Sequence, residues 1–161
     1  MAVIRFKGLE EYELKLSRLE KMTEELAGRA IYAGAGIVAD EIRKGIESLP
    51  VVRGYGTDSD PLPGGVTSSQ KKGLQEGLGI TPLEDKDGFY NVKIGFDGYN
   101  QTRTKEHPQG QPNQLVARGV ESGTSWKQKH PFVRPAVTRS KPIAEKKMQE
   151  VLDYEMKKIM D

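Results

Sequence analysis

Two prolines four positions apart, Pro131 and Pro135, constrain this chain more than any other feature of its sequence. Each proline ring fixes its own φ angle and disfavours helical geometry in the residue before it. The segment between them is therefore stiff, and it holds the Phe132 side chain in one direction. Because proline fits the first turn of a helix, where its missing N–H costs nothing, we expect the C-terminal helix to begin close to Pro135.

The residues before these prolines have the composition of a strand and a turn. Residues 115–120 are apolar and partly β-branched, and residues 122–125 are typical of turns. We therefore predict a strand that ends near Glu121, then a turn, then the proline-braced segment. This order of residues indicates a structural joint, which favours assembly over catalysis. Two roles for Phe132 are equally favoured, a core anchor beneath the helix and a contact to another subunit, and both bury it.

The N-terminal third predicts a short strand and two amphipathic helices. Residues 2–7 alternate apolar and basic side chains, which is typical of a strand with one exposed face. Apolar residues then recur at helical spacing over residues 9–26 and again over residues 31–46. The second stripe contains two glycines within residues 33–36, which cost a helix roughly 2 kcal/mol. We therefore expect another backbone to approach closely at these glycines.

The middle of the chain predicts a short helix and a hairpin. Thr67 or Ser68 can cap a helix that runs to Gly77. Residues 78–83 and 89–96 read as two strands, and the Asp-Gly pair between them is a hairpin turn signal.

These elements predict an α+β fold, in which a small, mainly antiparallel sheet packs against two N-terminal helices and one long C-terminal helix. The C-terminal helix is expected over residues 136–160. At 161 residues the chain is long enough for one domain, and we predict a single domain over residues 1–161. Residues 51–66 and 97–113 are rich in polar residues, glycine and proline, and we predict that they form long, mobile loops.

Composition bears on which classes of chemistry this chain can perform. The absence of cysteine excludes disulfides, a thiolate nucleophile and a zinc site built on sulfur. The two histidines, His107 and His130, lie in predicted loops without ligand spacing, and no nucleotide-binding or hydrolase motif is present. We therefore expect no enzymatic activity, no cofactor and no metal. The sequence also has no apolar stretch of about 18 residues that could span a bilayer.

Two motifs resemble the tail-component family of long-tailed bacteriophages, the neck or tail-completion proteins of the gene-product-ten-like group. Members typically carry a Glu-Phe-Gly-Thr-like turn, a Pro-Phe-aliphatic-Arg-Pro-Ala element and a C-terminal helix, and here these places are taken by Glu121–Thr124 and Pro131–Ala136. Phe6–Tyr12 is similar to the family's opening strand and first helix. The middle departs from the family, because its Thr-Gly-x-Leu element is not legible in residues 67–74 and Ser122 replaces the commoner aromatic.

The resemblance implies a non-enzymatic structural protein of the virion of a tailed phage or prophage. It implies a homo-oligomeric ring, with six subunits as the favoured number, at the head–tail junction, where it completes the tail or joins it to the head. Its partners would be copies of itself, the head connector and the tail-terminator or tail-tube protein. DNA would pass through the lumen without sequence-specific binding, no membrane would be involved, and assembly would take place in the host cytoplasm.

On this hypothesis eight residues form the interface with another subunit or a partner. They are Glu121, Gly123, Thr124, Trp126, Phe132, Val133, Arg134 and Pro135.

The alternative is a nucleic-acid-binding accessory protein that uses the basic segment of residues 126–134. Lys127, Lys129 and Arg134 lie beside Trp126, and positive charge next to an aromatic ring is what phosphate contacts and base stacking require. Salt-sensitive retention on DNA would favour this alternative, whereas ring-sized particles would favour assembly.

Overall fold

The computed structural model describes residues 10–53 and 56–161, and side chains from residue 22 onward within those ranges. The helices are α1 (Glu10–Glu47), α2 (Ser68–Gly77), α3 (Asn113–Ser122) and α4 (Val133–Met160), and the strands are β1 (Leu78–Ile80), β2 (Glu84–Lys86), β3 (Phe89–Asn91) and β4 (Ile94–Phe96). The predicted α+β class is confirmed. The strand predicted over residues 2–7 lies outside the described residues.

The N-terminal helices predicted as two are one continuous helix, α1. The two apolar stripes are separated only by residues 27–30, a stretch without proline that contains two alanines, the best helix formers, and one glycine. Arg29 stabilises the helix within this stretch, because its guanidinium pairs with Glu25 one turn earlier. It also pairs with Glu155 of α4 at 2.7 Å. The interval between the two apolar stripes therefore did not mark a helix end.

Helix α1 packs antiparallel on α4 through a seam of small residues. Its middle contacts Met148 and its end contacts Phe132. The small buried side chains of the seam are Ala30, Ala35 and Ala39 on α1, with Ala136, Ser140 and Ala144 on α4. A Cβ atom added at Gly34 would lie 2.6 Å from both Cγ and Sδ of Met148, whereas one added at Gly36 would meet nothing within 4 Å. Close packing is present at Gly34, but the near neighbour is the Met148 side chain and not, as expected, another backbone, since the Ala144 carbonyl oxygen would lie 3.4 Å away. Nothing in the structure explains Gly36.

The predicted hairpin is confirmed, in two pieces. Strands β2 and β3 pair around Asp87 and Gly88, which both have positive φ, at 55° and 84°, as a tight hairpin turn requires. Strands β1 and β4 form a second antiparallel pair, further from the turn. The Thr81 N–H donates to the Lys93 carbonyl at 2.8 Å, and the ladder then breaks at Pro82, which has no N–H to donate.

The strand predicted over residues 115–120 is wrong, because these residues lie in helix α3. Val116, Ala117 and Val120 are buried while Leu115 is 50% exposed, so the buried positions follow helical spacing and not the alternation of a strand. A short apolar run does not distinguish the two by itself.

The cap predicted for α2 is confirmed at Thr67. Its hydroxyl accepts a hydrogen bond from the Gln70 N–H at 3.2 Å, and the Gln70 side chain accepts one from the Thr67 N–H at 3.0 Å. This reciprocal pair is a capping box, which satisfies two backbone donors at the helix start.

The two long loops are attached to the rest of the chain by hydrogen bonds. In the first, the Leu62 N–H donates to the Trp126 carbonyl at 3.0 Å and the Leu62 carbonyl accepts from the Gln128 N–H at 2.8 Å. In the second, the Gln111 side chain accepts from Asn100 at 3.2 Å and from Gln70 at 3.0 Å. The mobility of these loops, like the single domain, stays a prediction.

The main apolar core lies at the C-terminal end of α1, where α2, α3 and the start of α4 meet it. Its largest members are Ile42, Ile46, Leu49, Val66, Leu74, Val116, Val120 and Phe132. Among the described residues, no helix combines the length and apolarity that crossing a bilayer would need.

The contrast between Gly34 and Gly36 gives a test of the helix seam. Replacing Gly36 with alanine should raise the free energy of unfolding by about 1 kcal/mol, because alanine favours the helix and the added methyl meets open space. Replacing Gly34 with leucine should lower it by roughly 1–3 kcal/mol, because the side chain would overlap Met148. Urea unfolding of both variants measures these shifts, and a Gly34→Leu protein as stable as the wild type would contradict the close packing.

Candidate functional site

The carboxylate of Glu121 caps helix α4 from the end of helix α3. Its Oε2 accepts hydrogen bonds from the backbone N–H groups of Phe132 at 2.8 Å and Val133 at 2.9 Å, and its Oε1 accepts one from the Arg134 N–H at 2.9 Å. The first N–H groups of a helix have no partner within the helix and carry partial positive charge. Phe132 stands at the cap position without a side chain that could bind them. We call Glu121 with residues 132–134 the joint.

The electrostatics of the joint favour a charged carboxylate. Burial by itself raises the pKa of the Glu121 carboxyl, but the hydrogen bonds from Val133, Arg134 and Phe132, together with the Arg134 guanidinium, outweigh burial. The net effect is a pKa below the ordinary value of 4.5. At neutral pH Glu121 is therefore ionised, as a helix cap of this kind requires.

Phe132 is a core anchor. Its side chain is 3% exposed, and its ring lies 6.0 Å from that of Phe96, centroid to centroid, at an angle of 59°. Its backbone is equally confined, because a Cβ atom added at Gly45 of α1 would lie 3.1 Å from the Phe132 carbonyl oxygen. The burial expected for this residue is confirmed. Its part in a subunit interface stays a prediction, which can act only through the segment that it anchors.

The predicted turn after Glu121 is present and folds the chain back onto α3. Gly123 has φ of 79° and donates to the Gly119 carbonyl at 2.8 Å, and the Thr124 N–H donates to the Lys127 carbonyl at 2.9 Å. A side chain at Gly123 would be strained by that φ and would also approach the backbone of Lys129. The helix after this turn begins at Val133, two residues before Pro135, so the expected helix start is confirmed closely.

Lys127 is a buried structural residue in the basic segment. Its side chain is 5% exposed, its ammonium donates to the Gly65 carbonyl at 3.2 Å, and it lies 5.4 Å from the centre of the Trp126 ring. Burial lowers the pKa of this ammonium. Lys127 therefore ties the first long loop to the turn and offers little surface to a ligand.

Three shallow clefts surround the joint. The largest, about 520 Å³, lies along α3 and the turn, and we call it the α3 groove. Its lining includes Leu115, Arg118, Gly119, Gly123, Thr124 and Trp126. Glu121 and Val133 line a second cleft of about 430 Å³, and Phe132 and Pro135 line a third of about 250 Å³. Seven of the eight predicted interface residues thus border a cleft, and the eighth, Arg134, is exposed.

Sequence reasoning missed two features of this site. The first is the burial of Lys127, since its partner is the backbone of Gly65, 62 positions earlier. The second is a set of buried amide side chains, those of Gln70, Asn100 and Asn113. Asn113 is 2% exposed, and its side chain donates to the Asp97 carbonyl at 2.8 Å. Neither leaves a sequence signal, because each depends on a contact between distant segments. Within the described part of the chain, no group of three or more His, Asp or Glu side chains is placed to hold a metal ion.

The cap on α4 leads to a direct test. Replacing Glu121 with alanine should lower the free energy of unfolding by about 1.5–3 kcal/mol, because it removes hydrogen bonds to a charged acceptor and leaves backbone donors without a partner. Glu145→Gln, which changes an exposed carboxylate further along α4, is the matched control and should leave stability unchanged. Chemical denaturation measures both, and equal stability of the two variants would contradict the capping role.

The lowered pKa of Glu121 predicts how stability depends on pH. A carboxyl whose folded pKa lies below its unfolded value contributes stability above the unfolded value, and loses it as pH falls through the folded one. The stability difference between wild type and Glu121→Gln should therefore be full at neutral pH and shrink as pH falls below about 4.5. Urea midpoints measured across this range check the expectation. A difference that grows on acidification would contradict it.

No protein-family model, no curated protein and no solved structure matches this chain. What can be inferred about its function rests on its own geometry and on the motif resemblance at Glu121–Thr124 and Pro131–Ala136.

Proposed function

We propose that this protein is a structural component of the virion of a tailed phage or prophage, and that it forms a closed ring at the head–tail junction. The joint is the observation that carries this proposal. The two halves of the motif resemblance, Glu121 and the segment around Phe132, are hydrogen-bonded to each other across 11 to 13 positions of sequence. The motif therefore has a structural role, since its hydrogen bonds fix the angle between α3 and α4.

A rigid angle is what ring closure requires. In a ring each subunit meets the next through two different patches, and the ring closes only if the same rotation repeats at every interface. Hydrogen bonds from three successive backbone donors to one carboxylate resist both rotation and displacement of α4 relative to α3. This supports a structural role, in which the protein acts through the rigid shape of its subunit.

The protein also carries apolar surface that a neighbouring subunit can cover. On α4, Val137, Ile143, Tyr154 and Met156 are between 39% and 62% exposed. Hydrophobic residues make up only 35% of the sequence, and several of the larger ones lie outside the core. Interfaces between subunits use aromatic residues and methionine at their centres, so this surface fits an assembly role.

The titratable groups with shifted pKa values favour a non-enzymatic protein without a cofactor. A catalytic site brings such groups together in a cleft. Here Glu41 and Lys44 line the third cleft together, but the hydrogen bond between them is the main cause that lowers the pKa of Glu41 and raises that of Lys44, as in a structural ion pair. Burial alone lowers the pKa of Lys127. Each shift therefore has a structural cause, and that of Glu121 comes from capping α4.

The nucleic-acid alternative is weakened by the position of Lys127. Its buried ammonium already donates to Gly65, so of the three cations that suggested a phosphate-binding segment, Lys129 and Arg134 remain exposed. We therefore propose that DNA passes through the lumen without specific binding. The proposed partners are further copies of this chain, the head connector and the tail-terminator or tail-tube protein. The protein would assemble in the host cytoplasm, without a membrane partner.

The test of this function is the particle that the purified chain forms. Light scattering across a concentration series, with negative-stain microscopy, should show closed rings with a lumen. Arg134→Ala should keep the helical content of the wild type but need about tenfold more protein to assemble, which corresponds to about 1.4 kcal/mol of interface energy. Arg103→Ala, which changes an exposed arginine in the second long loop, is the control. A chain that stays monomeric at every concentration and is retained on DNA at low salt would replace this proposal with the alternative.

A further inference from the structure

The β2–β3 hairpin presents an aromatic knob. Phe89 at its tip is 77% exposed, the largest value among the large hydrophobic side chains of the described residues. The turn beneath it is tight, because the Gly88 N–H donates to the Asp85 carboxylate at 2.9 Å. Single exposed apolar residues are common on protein surfaces. A phenyl ring held out on a rigid hairpin, however, loses little conformational entropy on binding, which makes it a suitable anchor.

The α3 groove has the size and lining to receive such a knob. Leu115, Val116 and Trp126 give it apolar walls, and Gly119 leaves its floor without a side chain. Its volume is about 520 Å³, whereas a cavity of about 150 Å³ already holds a benzene ring. A phenyl ring and part of the hairpin backbone can therefore enter.

The charges of the two surfaces are opposite. The four residues before the Gly88–Phe89 tip are Glu84, Asp85, Lys86 and Asp87, with a net charge of −2. The exposed charged residue that lines the groove is Arg118, with a charge of +1, since the ammonium of Lys127 is buried against Gly65. Opposite charges around an apolar contact orient the partners and speed their association.

The base of the hairpin lies against the middle of α1 and the groove lies near its C-terminal end, so one copy does not bring its own pair together. At the base of the hairpin, a Cβ atom added at Gly28 of α1 would lie 3.3 Å from the Leu83 side chain. The groove wall residue Val120 shares the core with Ile46, eighteen positions further along α1, or about 27 Å at 1.5 Å per residue. Two separate, dissimilar patches are the requirement for a head-to-tail interface.

From these observations we infer that subunits associate head to tail, with the Phe89 hairpin of one copy seated in the α3 groove of the next. The occupant of the groove is thus a second copy of this chain. This inference rests on the proposed ring and names its two contact surfaces. It also gives Gly123, Thr124 and Trp126 a role as walls of the receiving groove.

The absence of cysteine from this chain allows a direct test by site-specific cross-linking. Lys86 pairs with Phe89 across the hairpin, and Ser122 is an exposed residue of the groove. Lys86→Cys and Ser122→Cys proteins are prepared separately, mixed at concentrations where the wild type assembles and up to the solubility limit, and treated with a short bis-maleimide. The expected product is a dimer that joins position 86 of one chain to position 122 of the other. Lys146→Cys, on an exposed face of α4, replaces Lys86→Cys as the control and should give no such product.

A second substitution in the same chains tests the knob itself. Adding Phe89→Ala to the Lys86→Cys protein should reduce the yield of the 86–122 product roughly tenfold or more, as loss of an aromatic anchor does. Tyr99→Ala, which removes another exposed aromatic side chain in the second long loop, is the matched control and should leave the yield unchanged. Arg118→Glu in the Ser122→Cys protein should also reduce the yield, because it reverses the charge of the groove.

Light scattering of the same proteins separates this inference from the proposed function. Oligomers without the 86–122 product would overturn the pairing and leave the ring standing, and a product between two Lys86→Cys chains would overturn it too, since it indicates a symmetric contact. The 86–122 product in open filaments would support the pairing and count against the closed ring. A chain that stays monomeric and gives no product would overturn both.

Discussion

Three backbone N–H groups donating to one carboxylate, that of Glu121, hold together the part of this protein on which the rest depends. The bond set joins the end of α3 to the start of α4, and so it orients Phe132 into the core and the turn after α3 back over the groove. Because a helix start carries partial positive charge, the carboxylate is stabilised there in its ionised form, despite partial burial.

The seam between α1 and α4 also has a consequence for assembly. It is built from alanine, serine and glycine, so the helices lie close together and bury little side-chain volume. The larger apolar side chains concentrate at one end of α1, and others, such as Ile143 and Phe89, remain on the surface. A subunit of this kind gains stability when neighbours cover that surface, which is consistent with the proposed ring.

Part of the fold and of the site was predictable from local pattern. The Asp87–Gly88 turn, the Thr67 cap and the helix start near Pro135 follow from φ preferences and local hydrogen bonds, which depend on a few adjacent residues. The burial of Phe132 was predictable for the same reason, since prolines on either side aim its side chain. Residues 115–120 were predicted wrongly as a strand, because a six-residue apolar run fits either period and only packing against the core decides between them.

The sequence by itself determined the Asp87–Gly88 turn, the starts of α2 and α4 and the burial of Phe132, because these are properties of neighbouring residues. Only the tertiary structure decided that Glu121 caps α4, that the Lys127 ammonium is buried against Gly65 and that Gly34 receives Met148. Each of these is a contact between residues from 11 to 114 positions apart. Such contacts depend on how helices and turns pack together in three dimensions, and the spacing of residues along the chain does not reveal that packing.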